Sequence, residues 1–470
     1  MTITNKDELL AHGNVEGRKR VLEIMEAGLA ETDPYENARK LLRIHDGQLQ
    51  IGHPDFCVQG PENEILRTRS LFFEYSQIGE IYVVGGGKAA QRMAKAIEDV
   101  LGSRISAGCI CAKKGEPSEL QHIELVLAGH PIPDDVGLAG AQKIFDIEQQ
   151  AKRGDIVFVV ESGGGTALMT LPGPGLSLQD IQDVTRKLYF ECGASITETN
   201  IVRSHLVILR GRHSRNVGDA ILIRFYTDPM PPSLRARGYV RQYFGRRGYQ
   251  GAIDVLKQYQ LWNRVSPAVR SYLLSADPQY GSIQPGELRG KPHYQFRVKG
   301  PEDMLEAARS RAEALGIHCA IIASSPDDIE AQAFGRALAL MAIEIEVYHR
   351  PFKPPCALIA GGELLVRTDG ATGLGGRNQE FVMAAAPKIH SSQQIVIASA
   401  DSDGTDGPTD IAGGIVDGLT MTRARERGIK FQDELKRHNS MCMLQHLQDA
   451  IVTGAQGTNV QDLRVIYIGK

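Results

Sequence analysis

Short runs of Val, Ile, Leu and Ala recur along the chain, each closing on glycine or a small polar residue and followed by a stretch of helical spacing. In the first half they are Ile81–Val84, Gly108–Cys111, Glu124–Leu127 and Asp155–Val160; in the second, His318–Ile322, Cys356–Ile359, Gln394–Ala398 and Arg464–Ile468. A strand with one wet face alternates apolar with polar residues. Unbroken apolar runs therefore predict strands covered on both faces, as in parallel sheets flanked by helices. After Lys88, apolar residues fall at 89, 90, 93, 94, 97, 100 and 101, a helical stripe that Gly102 closes. From Pro301 to Leu315 the stripe is 304, 305, 308, 312 and 315, with Pro301 at the start, Glu302 and Asp303 in the first turn, and Gly316 after it. This helix opens a second α/β series, so the domain boundary is expected between about Asp277 and Gly300, giving domains 1–300 and 301–470, each a mostly parallel sheet with flanking helices.

Composition narrows the class. A chain of 470 residues predicts two or three domains. Lys and Arg number 53 against 56 Asp and Glu, a net charge of −3, which gives no excess to attract nucleic acid or an anionic membrane. The protein is expected to be cytoplasmic, since its N-terminus has no basic region followed by an apolar one and no apolar run reaches a membrane span. Seven scattered cysteines read as reduced residues, mostly in the core, and Cys109 with Cys111 could form at most half a metal site. The outlier is glycine, at 50 residues, which points to tight turns or to backbone lying close to a ligand.

Four clusters follow predicted strands, where open α/β sheets bind ligands. Gly85, Gly86 and Gly87 lead into Lys88 at a helix start, a place where backbone N–H groups and a cation can meet an anion. The loop is not a Walker A motif, because Tyr82 and Ala89 stand where Gly and Ser or Thr are needed. Nor does it have dinucleotide spacing, and Lys113 and Lys114 replace the acid that would follow the next strand. Glu161, Ser162, Gly163, Gly164 and Gly165 form the second cluster, able to cradle phosphate oxygens or a carboxylate. The third runs Gly373-Leu-Gly-Gly-Arg377-Asn378-Gln-Glu; an arginine in a helix's first turn opposes the dipole, which favours an anion there. The fourth carries Asp401, Asp403, Asp406 and Asp410, a carboxylate group suited to Mg²⁺ with a nucleotide, with Asp401 and Asp406 as candidate ligands. Asp406 stands where a calcium loop needs glycine. Three readings fit: a phosphotransferase, an NAD(P)H-dependent reductase using Lys113 and Lys114, and a non-catalytic phosphosugar or nucleotide sensor. The first makes most use of the cradles, cations and carboxylates together.

These motifs, with Ser402-Asp-Gly-Thr-Asp-Gly-Pro-Thr409 and Thr453-Gly-Ala-Gln-Gly-Thr-Asn-Val460, resemble the glycerate 2-kinase (MOFRL) family over nearly the whole chain. Older labels for such sequences include hydroxypyruvate reductase. The resemblance implies an N-terminal Rossmann-like domain, a smaller C-terminal α/β domain and an active site in the cleft between them. It also implies transfer of the ATP γ-phosphoryl to the 2-hydroxyl of D-glycerate, with Mg²⁺ and with Lys88 and Arg377 as the catalytic cations. Gly85 to Gly87, Ser162 to Gly165 and Asn378 are then the candidate nucleotide- and phosphate-binding residues.

One stretch departs from the family. Leu206-Val-Ile-Leu-Arg-Gly-Arg212 replaces the usual Leu-Ser-x-x-Lys-Gly-Gly, and from Pro229 to Ile253 there are five arginines, three tyrosines and no acid. The segment 213–251, through divergence or a shifted reading frame, is expected to be poorly ordered or looped away from the site.

Overall fold

The computed structural model describes residues 2–470 except 116, 228–247, 285, 328, 369 and 459. The chain forms two compact units. The first comprises residues 34–227 and 248–298. It holds a small antiparallel sheet of β1 (Leu42–His45), β2 (Gln48–Gly52) and β4 (Ser70–Glu74). Its main sheet has seven strands: β3 (Val58–Gln59), β5 (Ile81–Gly86), β6 (Ala107–Lys113), β7 (Glu124–Ala128), β8 (Ile156–Glu161), β9 (Ile221–Tyr226) and β10 (His293–Arg297). Their order is β3-β10-β9-β8-β5-β6-β7, parallel throughout except where β3 meets β10.

The unbroken apolar runs have the cause expected of them. Along β8, Ile156, Phe158 and Val160 enter one core cluster, and Val157 and Val159 enter the cluster on the opposite face. The striped segment after Lys88 is the helix Ala90–Leu101, ended by Gly102 at φ +51°, and it buries Met93, Ala94, Ile97 and Leu101. From β5 the chain builds outward through β6 and β7, then returns to place β8 on the other side of β5 and continues through β9 and β10. The strand order reverses between β5 and β8, and in open parallel sheets the carboxyl ends of strands at such a reversal are the usual ligand position.

The second unit comprises residues 2–33 and 299–470. Its six strands are β11 (His318–Ala323), β12 (Cys356–Ala360), β13 (Ile395–Asp401), β14 (Gly413–Asp417), β15 (Ala450–Ile451) and β16 (Asp462–Ile468), in the order β11-β12-β16-β13-β14-β15. Here the expected mostly parallel sheet is corrected: only β11 and β12 pair in parallel. The last strand inserts antiparallel between β12 and β13, and the short 402–412 connection lets β13 and β14 pair as a hairpin rather than by a crossover. Both faces are still covered. Ile395 and Ile397 face one cluster, and Val396, Ala398 and Ala400 face the other.

The two units divide between Val298 and Lys299, and residues 2–33 belong with the second unit. Helix Val15–Glu31 packs Val21, Leu22, Met25 and Leu29 into one cluster with Met304, Leu305, Ala308 and strands β13 and β16. Arg18, fully buried on this helix, lies 2.6 Å from Asp417 and 2.8 Å from Asp449. Its burial opposes the charge, and the two carboxylates outweigh that and raise its pKa.

The described parts of the atypical segment are also built structure. His213–Asn216 is a helical turn, β9 is hydrogen-bonded on both sides, and a helix begins at Gly248. The expectation of a region looped away fails there because Leu222, Ile223 and Phe225 are core residues. Residues Arg235 to Arg247 lie outside the described residues.

Replacing Arg18 with Met strands two buried carboxylates. The variant is expected to lose about 3–5 kcal/mol of stability in urea unfolding, and an unchanged midpoint would mean that the ion pairs do not anchor this helix.

Candidate active site

In the first unit, two loops meet at the carboxyl ends of β5 and β8. Gly85 has φ +144°, and a side chain there would begin 1.9 Å from the Val160 carbonyl oxygen. Gly87, at φ +134°, would place one 2.3 Å from Ser162 Oγ. Only glycine permits this approach. The loops are then joined: the Lys88 N–H donates to Gly163 O at 3.0 Å, the Ala89 N–H to Ser162 Oγ at 2.8 Å, and the Gly87 N–H to Cys111 O at 3.0 Å. Gly85, Gly86 and Gly87 serve close packing, and Ser162, 6% exposed, staples the two loops with its hydroxyl. Gly163, Gly164 and Gly165 turn into the short helix Gly165–Leu168 with Gly164 at φ +89°, which makes this second loop the candidate cradle. Lys88 stands where both loops join, half-buried.

Beneath them lies a charge network that the sequence reading missed. Glu161, buried at the end of β8, is 2.6 Å from Arg224 Nε and 3.5 Å from His213 Nε2, and His213 Nδ1 bonds Glu148. Burial works against the Glu161 charge, yet Arg224, His213 and Arg210 hold its carboxyl below the usual carboxylate range. Burial likewise opposes the His213 charge, but Glu148 and Glu161 push its pKa up to about 10. A glutamate ending an apolar strand was the available signal for Glu161. Nothing local marks Glu148 or His213, 65 positions apart.

In the second unit, helix Arg377–Ala385 starts behind the glycines of the third cluster, and its N-terminus meets the acidic loop that follows β13. Asp406, fully buried, accepts the Asn378 and Gln379 N–H groups at 3.0 Å each and Asn378 Nδ2 at 3.2 Å. Burial pushes its pKa up to about 6 against the pull of Arg377. It is a helix cap supplied from a distant loop. Asn378, also fully buried, donates to Asp406 on one side and accepts from Ser399 on the other.

Arg377 is expected to clamp a ligand anion, but its fork is occupied. Nε and Nη2 donate to the two oxygens of Asp462 at 2.8 Å each, Nη2 also reaches Asp401 at 2.6 Å, and Glu363 lies 3.1 Å away. Burial opposes the charge, and the carboxylates, Asp462 first, hold its pKa well above the ordinary arginine value. Asp462 is shared with buried Arg464 at 2.5 Å. Arginine inside the apolar run Leu463-Arg-Val-Ile was the sequence signal for this pair. Asp401 spends its second oxygen on the Asp403 N–H at 3.0 Å. Asp401 and Asp406 therefore do not fit a shared Mg²⁺: one neutralises Arg377 and the other caps a helix. Among the described residues no group of three or more His, Cys, Asp or Glu is arranged to hold a metal ion.

The acidic loop also locks onto the 453–460 loop. The Val460 N–H donates to Ser402 Oγ at 3.0 Å, and a side chain on Gly404, at φ +89°, would begin 1.9 Å from Gly454 O.

Asp406→Ala takes the acceptor from three buried donors, the Asn378 and Gln379 N–H groups and Asn378 Nδ2, and is expected to cost at least about 1–3 kcal/mol. A loss within measurement error would remove the capping role. His213 gives a pH test. Its folded pKa is raised, so its contribution is complete below pH 6.5 and is lost as pH rises through about 10. Urea unfolding from pH 6 to 10 should show wild-type stability falling more steeply than that of His213→Gln; parallel profiles would contradict the buried pairing.

Among the described residues no helix is long and apolar enough to cross a membrane. Residues 20–274 match a family model described as a domain of unknown function (DUF4147), and residues 356–462 match the MOFRL family. The chain is 33% identical to a glycerate 2-kinase of Pyrococcus horikoshii over 95% of its own length and 96% of the relative's. It is 34% identical to a D-glycerate 2-kinase of Thermotoga maritima over 82% and 90% of the two chains. A glycerate kinase crystal structure from Thermotoga maritima superposes with a TM-score of 0.75 at 29% identity, covering 96% of this chain and 99% of that one. The MOFRL family match, together with relatives 33% and 34% identical over most of both chains, places the chain in the glycerate 2-kinase family.

Proposed function

We propose that the protein transfers the γ-phosphoryl of ATP to the 2-hydroxyl of D-glycerate, giving 2-phosphoglycerate and ADP, in the cytoplasm. The observation that carries this reading is the glycine-walled pair of loops at the reversal of strand order, with Lys88 between them, in a chain related over its length to D-glycerate 2-kinases. Phosphoryl transfer needs positioning and charge neutralisation more than covalent chemistry. In this reading the Gly163 to Gly165 backbone seats phosphate oxygens and Lys88 offsets charge on the group in transit. Arg377 holds Asp401 and Asp462 in fixed orientation and is itself a positioning residue. Magnesium would arrive with ATP, supplying charge neutralisation on its phosphates.

Phosphorus NMR of the product formed from D-glycerate and Mg-ATP is expected to show 2-phosphoglycerate. A 3-phosphoglycerate signal, or NADH oxidation with hydroxypyruvate in the absence of ATP, would sink the proposal. Lys88→Ala is expected to lower kcat by at least about 10³-fold with a much smaller change in KM, the pattern of an interaction made in the transition state; wild-type kcat would reduce Lys88 to a loop cation.

A further inference from the structure

A further set of basic side chains gathers beside the Gly163 to Gly165 loop. Arg203 ends the helix Ile196–Arg203 and is only 4% exposed. Its terminal nitrogens donate to Pro131 O at 3.2 Å and Asn200 Oδ1 at 2.8 Å, both neutral, and its Nε has no partner among the described residues. Burial, then the like charge of Arg210, pulls its pKa down to about 10, with only the Tyr189 phenol acting the other way. Among the described residues no carboxylate appears among its electrostatic neighbours. Arg210 Nη1 lies 3.6 Å from where a side chain on Gly165 would begin, and the ring of His130, next to Pro131, lies 3.4 Å from the same point on Gly164. The two glycines thus keep backbone and basic side chains close together with no side chain between them.

A guanidinium taken out of water without a counter-charge is costly, and the planar fork of arginine matches the oxygens of a carboxylate or phosphate. We propose that Arg203 and Arg210, with the Gly163 to Gly165 backbone, form a subsite for a substrate oxyanion, either the carboxylate of glycerate or a phosphate of ATP. The names of these ligands rest on the function proposed above; oxyanion binding itself does not.

Thermal unfolding of the full chain, with inorganic phosphate as probe, tests the site without requiring turnover. Phosphate is expected to raise the wild-type melting temperature, and Arg203→Met and Arg210→Met should each lose most of that rise. No rise in the wild type, or a full rise in both variants, overturns the proposal; if Arg203→Met fails to fold, Arg210→Met and Arg203→Lys decide it. Steady-state kinetics then separates the sources. An apparent KM raised at least about tenfold for D-glycerate alone assigns the carboxylate, and one raised for ATP alone assigns a phosphate. Both constants unchanged overturns the substrate assignment. An inactive chain that keeps the phosphate shift would overturn the kinase reading while supporting this site.

Discussion

A charge removed from water has to be met by an opposite charge or by several hydrogen bonds, and that requirement organises both units of this protein. Arg18 fastens the first long helix to a sheet built almost 400 residues later because Asp417 and Asp449 lie in its path. Arg377 and Arg464 converge on Asp462, which fixes where the C-terminal strand starts relative to the helix behind the glycine cluster. Glu161 ends its strand between Arg224 and His213. The pairs of Arg18, Arg377 and Glu161 each order segments distant in sequence. Arg203 departs from the pattern, which makes its surroundings a candidate for completion by a ligand.

The second organising constraint is steric. At Gly85, Gly87 and Gly404 a side chain would begin within 2.3 Å of another loop's atoms, so these glycines let two chain segments touch where one side chain would hold them apart. The glycine excess thus has a different meaning at different sites. At these three positions it builds walls between packed segments.

The fold was legible in the sequence wherever local pattern carries it. All eight apolar runs lie within or overlap strands, and both striped segments became helices at nearly their expected limits, because two-sided burial and helical periodicity are properties of neighbouring residues. Strand direction in the second unit was not legible, since the same apolar run serves parallel and antiparallel neighbours and only the path of the C-terminal strand decides between them.

For the site, the sequence by itself determined which residue types stand at the strand ends, and with them the family: the glycine loops, Lys88, Arg377 and the aspartates are where the motifs placed them. The tertiary structure alone decided what each polar group faces. Asp406 and Asn378 turned inward to serve a helix end, Arg377 was claimed by Asp462 and Asp401, and Ser162 became a staple. Hydrogen bonds and ion pairs are satisfied by whatever the fold brings within about 3 Å, and for these groups that partner lies tens of residues away, where spacing along the chain carries no trace of it.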